Sequence, residues 1–319
     1  MCQFVWYPLS GLERKGNDMS RLKVGVIGAG RVGVVLAAKL RAAGHEITAV
    51  SGRSDASSLR IRTLIPGVTV ATPAGVAAGC DLVLIAVPDD ALIRVAEEIA
   101  AARAVHAGQI VAHTSGRHGL DALAALSRLG ARPIALHPAM TFTGTDVDLE
   151  RTCVFGLTAA NSEHDVAESL VVDLGGQPMW IRESERALYH AALAHGANHL
   201  VTLVSQSMDL LRRAGAPDPS SVLRPLLTAA LDNSLTYGDA ALTGPVVRGD
   251  VTTIRAHVDA FADAGVPDAT VDAYREMARA TTSHAVTAGR LSVSDANGVR
   301  RVLDEAEWDA LAEFAGGIL

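Results

Sequence analysis

The chain has 319 residues, 49% of them hydrophobic, with 28 Lys and Arg against 35 Asp and Glu, a formal net charge of −7. That length suits two domains better than one core, and an acidic balance without a basic cluster argues against a nucleic-acid surface. No apolar run approaches the ~18 residues of a membrane span. Three separated cysteines, Cys2, Cys80 and Cys153, make neither a disulfide framework nor a metal knuckle and favour a reducing, cytoplasmic setting.

Residues 1–20 mix aromatics, a proline and charges ahead of a second methionine, Met19, without the apolar core of a signal peptide, and read as a disordered extension. From Leu22 the chain reads LKVGVIGAGRVG. A β-branched run (Val24, Val26, Ile27) breaks into Gly28-Ala29-Gly30-Arg31-Val32-Gly33 and continues at helical spacing to Gly44. A strand feeding a glycine turn that opens a helix is the setting in which GxGxxG binds a dinucleotide. Gly28 permits the turn, Gly30 admits a pyrophosphate, and Gly33 brings helix and strand together. The free N–H groups and positive dipole end of the helix face the phosphates.

Residues 46–50 read as the second strand. In NAD-binding folds an acid at its end holds the ribose 2′-hydroxyl. Here the end reads Ser51-Gly52-Arg53-Ser54, with no carboxylate until Asp55. Arg53 between two hydroxyls suits a 2′-phosphate, so NADP(H) is expected over NAD. Strands follow at 68–71, 81–87, 109–113, 131–137, 153–158 and 177–182, with a helix near 163–175. Val87-Pro88 closes the strand at 81–87; Asp89 or Asp90 is expected to cap the helix that runs from Ala91. The strand at 109–113 ends His113-Thr114-Ser115-Gly116, and that at 131–137 ends His137-Pro138-Ala139-Met140-Thr141-Phe142. Ligands of doubly wound sheets sit beyond such carboxyl ends, so both loops are expected to line the nicotinamide end. For His113 and His137 a backbone-satisfied loop imidazole stands beside that role. The alternation predicts an α/β Rossmann fold, a doubly wound parallel sheet covered on both faces.

From Glu183 onward the pattern is helical, giving an all-α second domain at 183–319 after a nucleotide-binding domain at 21–182. ERALYHAALAHGANHLVTLVSQSMDLLRRAG reads as one long Ala-rich helix, and such a helix suggests a homodimer. Further helices are expected near 219–236, 250–264, 268–288 and 298–314. His190 and Asn198 lie about 12 Å apart along a regular helix and about 80° apart around it, so they would meet opposite ends of one small substrate. These two are the catalytic candidates. His195 and His199 mimic a zinc helix, but the required glutamate is absent and no metal is expected. In LTGPVVRGD, Thr243 and Arg248 are candidate substrate contacts with His137; Arg248 suits a carboxylate, and Asp250 suits an N-cap.

GAGRVG, AVPDDAL, HTSG, LHPAMTF, YHAALAHGAN and LTGPVVRGD, in this order, resemble the bacterial Rossmann-like proteins that carry a C-terminal domain of unknown function 2520. These are relatives of deazaflavin-dependent NADP reductases, pyrroline-5-carboxylate reductase and ketopantoate reductase. The resemblance runs from about Arg21 to the end and implies an NADP-binding Rossmann domain, a helical second domain and a dimer. It further implies an NADPH-dependent reductase of a small 2-oxo acid, with ketopantoate favoured. The related ketoreductases place a Lys one turn before the Asn of the long helix; here that position is Ala194, and the only lysines are Lys15, Lys23 and Lys39. A proton must then come from His190 or water. An imine or deazaflavin reductase, and a non-catalytic NADP(H)-binding sensor or scaffold, are the alternatives.

Overall fold

A computed structural model describes residues 21–316, so the expectation for residues 1–20 lies outside the described residues. The chain divides into two compact units that meet between Gly196 and Ala197. The first is built on an eight-stranded sheet in the order β3-β2-β1-β4-β5-β6-β7-β8. Its strands are β1 (Lys23–Ile27), β2 (Glu46–Ser51), β3 (Thr69–Val70), β4 (Leu82–Ile85), β5 (Ile110–His113), β6 (Arg132–Pro138), β7 (Val154–Ala159) and β8 (Gln177–Trp180). Its helices are α1 (Arg31–Ala42), α2 (Asp55–Leu64), α3 (Pro73–Ala77), α4 (Asp89–Ala101), α5 (Ala124–Ser127), α6 (His164–Asp173) and α7 (Arg186–Leu193).

Successive side chains of a strand point to opposite faces, and β4 shows the result. Leu82 and Leu84 join the core under α1, α2 and α6, whereas Val83 and Ile85 join the core under α3, α4 and α5. Burial on both faces explains the unbroken apolar run of that strand. The expected parallel sheet needs one correction: β7 pairs antiparallel with β6. After β6 the chain forms only a 3₁₀ turn, Asp146–Leu149, with no crossover helix. A parallel pairing needs such a crossover, so the chain re-enters in the opposite sense. α6 then supplies a crossover, and β8 runs parallel to β7.

Two local expectations also change. α4 begins at Asp89, not Ala91, and its N-cap is Pro88 with no side-chain bond; Asp89 and Asp90 occupy the first turn, and Asp89 lies 3.8 Å from Arg117. α2 follows Ser54, whose hydroxyl accepts from the Ser57 N–H as a true N-cap.

The predicted long helix is interrupted. α7 ends at Leu193, residues Ala194–Asn198 form a π-helical turn, and α8 (His199–Arg213) resumes the regular winding. Gly196, a weak helix former, sits inside the wide turn. Regular-helix spacing between His190 and Asn198 therefore does not hold.

The second unit continues with α9 (Pro219–Tyr237), α10 (Val251–Asp263), α11 (Asp268–Thr287) and α12 (Val293–Gly316), the last starting ahead of the expected 298. Ile254, Ala278, Val299 and Leu303 form its core. Asp250 caps α10 as expected, its Oδ1 accepting from the Thr253 N–H at 3.0 Å. Among the described residues no helix is long and apolar enough to cross a membrane.

Candidate functional site

The site grows from the carboxyl ends of the first unit's strands. Gly28 leaves β1 at φ 100°, in the left-handed region open to glycine. Its N–H reaches both the backbone oxygen and Oγ of Ser51, and Ala29 N donates to the same backbone oxygen at 2.7 Å. A Cβ on Gly33 would stand 2.2 Å from the Gly28 oxygen, so α1 presses directly on the turn. Gly30 behaves differently: a Cβ there would meet nothing within 4 Å. α1 has no side-chain cap at Gly30 and no acid in its first turn. Its first N–H groups, at Arg31, Val32 and Gly33, lack intrahelical partners, and the space beside Gly30 is open. This cradle fits a pyrophosphate. Val87 packs against Gly28, its Cγ1 3.1 Å from where a Cβ would sit, and Pro88 caps α4 beside it.

At the end of β2, Ser51 is committed to Gly28 and Ser54 to the cap of α2, which leaves Arg53, exposed, as the charged group of that segment. The structure adds Arg60 from α2. A Cβ on Gly144 would lie 2.9 Å from Arg60 Nε and 3.0 Å from Arg31 Cα, so the loop after β6 closes on the first turn of α1. Buried Asp148 fastens that loop, accepting from Gly144 N at 2.7 Å, Thr143 N at 2.8 Å and Thr143 Oγ1 at 3.0 Å. Arginines and unopposed backbone donors thus gather where the sequence pattern expects a phosphorylated nucleotide.

The second part lies where β5 and β6 end. His113 is fully buried and takes the backbone-satisfied role: Nδ1 accepts from Ser115 N at 3.2 Å and Nε2 donates to Gly119 O at 2.9 Å. Burial pulls its pKa down to about 4, so it stays neutral and pins the loop. Ser115 is committed as well, its carbonyl accepting from Arg186 and its hydroxyl from His118 N. Thr114 donates its N–H to Ile85 O, tying the same loop to β4.

His137 behaves differently. Its Nδ1 lies 2.8 Å from the Tyr189 hydroxyl, and its ring stands edge-on to that of His190 at a centroid distance of 6.2 Å. Burial first, then the Arg186 guanidinium and His190, pull the His137 imidazole down to about 4. Burial pushes the Tyr189 phenol up to about 12. Both are therefore neutral near pH 7, and the phenol O–H donates to Nδ1. The tautomer is assigned from that bond: Nε2 carries the proton. Gly116 makes the approach feasible. A Cβ there would stand 2.6 Å from His190 Cδ2 and 3.0 Å from His137 Nε2, so both rings rest on its bare Cα. α7 crosses the β6–β7 pair, with Tyr189 over Gly156 and Arg186 bonded to Thr158, and so delivers His190 to this point. The arrangement offers a neutral N–H donor and a second imidazole over one small patch.

The remaining sequence candidates, Asn198, Thr243 and Arg248, belong to the second unit and are exposed. Asn198 ends the π turn, and Thr243 and Arg248 flank the Gly244-Pro245 bend before α10. Residues that sequence reasoning missed are Tyr189, Arg186 and Arg60. Tyr189 had a signal, standing next to His190 on the same helix. The others depend on tertiary approach.

Cavities of about 370 Å³ (among Gln206, Arg213 and Thr270) and about 300 Å³ (among Ser58, Arg62 and Val70) share no residue with this cluster.

A Rossmann-like domain model matches residues 11–138, and the domain of unknown function DUF2520 matches residues 153–281. No curated protein matches the chain. Among solved structures, a Bacteroides fragilis protein assigned as an NADP oxidoreductase shares 19% identity at a TM-score of 0.69, covering 82% of this chain and 98% of its own. A reductive aminase from Aspergillus terreus, in complex with NADPH and ethyl levulinate, shares 18% at 0.60, over 88% and 99%. An imine reductase from Myxococcus stipitatus, in complex with NADP+, shares 16% at 0.60, over 84% and 95%. At these identities the likeness is one of fold. The two domain matches, in the order found along the sequence, identify the chain as a Rossmann-like protein with a C-terminal DUF2520 domain.

Proposed function

We propose that this chain is an NADP(H)-dependent reductase of a small polarised substrate, a 2-oxo acid such as ketopantoate. The observation that carries the reading is the pairing, at the strand ends of one unit, of an uncapped glycine cradle with the His137–Tyr189–His190 cluster. The cradle of Gly28, Ala29 and Gly30 with the first turn of α1 would hold a pyrophosphate, and Arg53, aided by Arg31 and Arg60, a 2′-phosphate. Such a cofactor supplies a hydride when bound. The chain's own part is then to polarise the acceptor and deliver a proton. His137 Nε2–H, its tautomer fixed by Tyr189, hydrogen-bonds the acceptor oxygen without adding charge. His190, beside it over Gly116, gives the proton to that oxygen. Neither role needs the lysine that Ala194 replaces.

The imine reductases and reductive aminase of similar fold favour a second reading, reduction of C=N. A homodimer is part of the proposal, supported by apolar side chains left exposed on α9, among them Leu226 at 62% and Leu235 at 80%. NADPH oxidation by the purified chain, with ketopantoate, other 2-oxo acids and cyclic imines in turn and NADH in parallel, tests the function. Turnover of a 2-oxo acid with NADPH alone is expected. Turnover confined to imines gives the second reading, and an NADPH-binding chain that reduces nothing overturns both.

A further inference from the structure

Arg186 is the largest fully buried side chain, 0% exposed, and a cation beside the neutral His113, His137 and Tyr189. Its Nη1 donates to Thr158 Oγ1 at 2.9 Å and its Nη2 to the Ser115 carbonyl at 2.8 Å. Among the described residues its buried Nε has no hydrogen-bond partner. Among the described residues no carboxylate lies within ion-pair distance of it. The acids nearest in effect, Glu183 and Asp89, are engaged elsewhere. Glu183 accepts from Leu120 N at 2.9 Å, and Asp89 lies 3.8 Å from Arg117. A guanidinium cannot shed its proton in a protein, so the charge stays. A lone buried charge is expensive, and an apolar residue of the same length would fill the space more cheaply. Its retention calls for a use.

The groups around it show what the charge acts on. Ser115 and Thr158, which hold the guanidinium, flank the loop and strand that carry His113 and His137. His113, His137 and Tyr189 all feel its field, and His190 and Asp89 are the other charged or titratable groups acting on His137. A positive field opposes imidazolium at His137 and stabilises negative charge arising beside its Nε2. Hydride addition to a carbonyl creates an alkoxide at that position, whereas an iminium substrate arrives as a cation.

We infer that Arg186 is a specificity-determining, positioning residue that biases this site toward carbonyl substrates, above all 2-oxo acid anions, and against iminium ions. The inference rests on the reductase reading for its chemical meaning, but the field itself is measurable without turnover. It separates this chain in substrate class from the imine reductases whose fold it shares.

The test uses the full chain with labelled histidines, and NMR to follow the His137 ring through a pH titration. Arg186→Met removes the charge at similar length, and Arg186→Lys keeps it. The His137 midpoint is expected to rise by about 1 unit in Arg186→Met and to return toward the wild-type value in Arg186→Lys. An unmoved midpoint in folded Arg186→Met, or the same displacement in both variants, overturns the inference, because a packing role does not distinguish the two. Should Arg186→Met fail to fold, the wild-type chain still decides. Oxamate is expected to perturb the His137 and His190 resonances at concentrations where pyrrolidinium does not, by a margin of about tenfold in apparent Kd. Preference for pyrrolidinium overturns the inference. A chain that shows the midpoint shift yet oxidises no NADPH would fail the reductase reading and leave the charge assignment standing.

Discussion

Replacing Gly116 by alanine probes the cluster without removing any of its polar atoms. The new Cβ would stand 2.6 Å from His190 Cδ2 and 3.0 Å from His137 Nε2. Carbon atoms pack at about 3.5–4.0 Å, so the His190 ring must retreat by about 1 Å and His137 by less. Gly116 is not among the glycines with positive φ, so alanine adds no backbone strain. His190 is only half-buried and can swing outward, which puts the stability cost at the low end of overpacking, about 1 kcal/mol. Catalysis is less forgiving, since a displacement of about 1 Å at a reacting group costs on the order of 10²-fold. Gly116→Ala should therefore lower kcat/KM for NADPH-dependent reduction about 100-fold, with NADPH affinity unchanged and Tm a few degrees lower. Steady-state kinetics, calorimetric NADPH titration and a thermal melt read the three quantities. In a His190→Ala background the same substitution should cost far less, because its main target is gone. A folded Gly116→Ala chain that turns over within about threefold of wild type would refute the placement of the two rings at the reacting centre.

Further outcomes follow from the same geometry. His190→Ala should cut turnover by about 10²–10⁴-fold while NADPH still binds, as expected for loss of a proton donor; kinetics beside a binding titration check it. Arg53→Ala should lose on the order of 10–100-fold in NADPH affinity and little in NADH affinity, since one charged hydrogen-bonding group is worth about 1.5–3 kcal/mol. Gly33→Ala drives a Cβ to 2.2 Å from a backbone oxygen that cannot step aside; loss of nucleotide binding and about 1–3 kcal/mol of stability are expected by denaturant titration. His113 and His137 titrate near 4 in the fold against an ordinary value of 6.5. The unfolded chain takes up their protons first, so stability is complete above 6.5 and is lost as pH falls toward 4, by about 3 kcal/mol for each residue. Urea unfolding across that window should show the loss, and His113→Asn should flatten the slope.

The glycine turn was legible in the sequence because each of its constraints is local: β-branched residues before it, helical spacing after it, and glycine where only glycine fits. The strands of the sheet were legible for the same reason, apart from the direction of β7. Residues 154–159 look alike in either sense, and only the missing crossover helix after His137 fixes the reversal. α2 went unread because DASSLRIRTL is largely polar and buries only Ile61 and Leu64. His190 and His137 were singled out separately; their meeting needs α7 to cross the β6–β7 pair over Gly116, which sequence spacing does not encode. Arg186 stands in ESERALYH, just after Glu183 and Glu185, and reads as a surface charge. Its burial is a property of the fold alone.

The most direct test of the central claim is a calorimetric titration of the full chain with NADPH and, in parallel, NADH. The cradle at Gly28–Gly33 and the arginines beyond β2 predict that NADPH binds, at least about tenfold more tightly than NADH. Binding of neither nucleotide, or tighter binding of NADH, would contradict it.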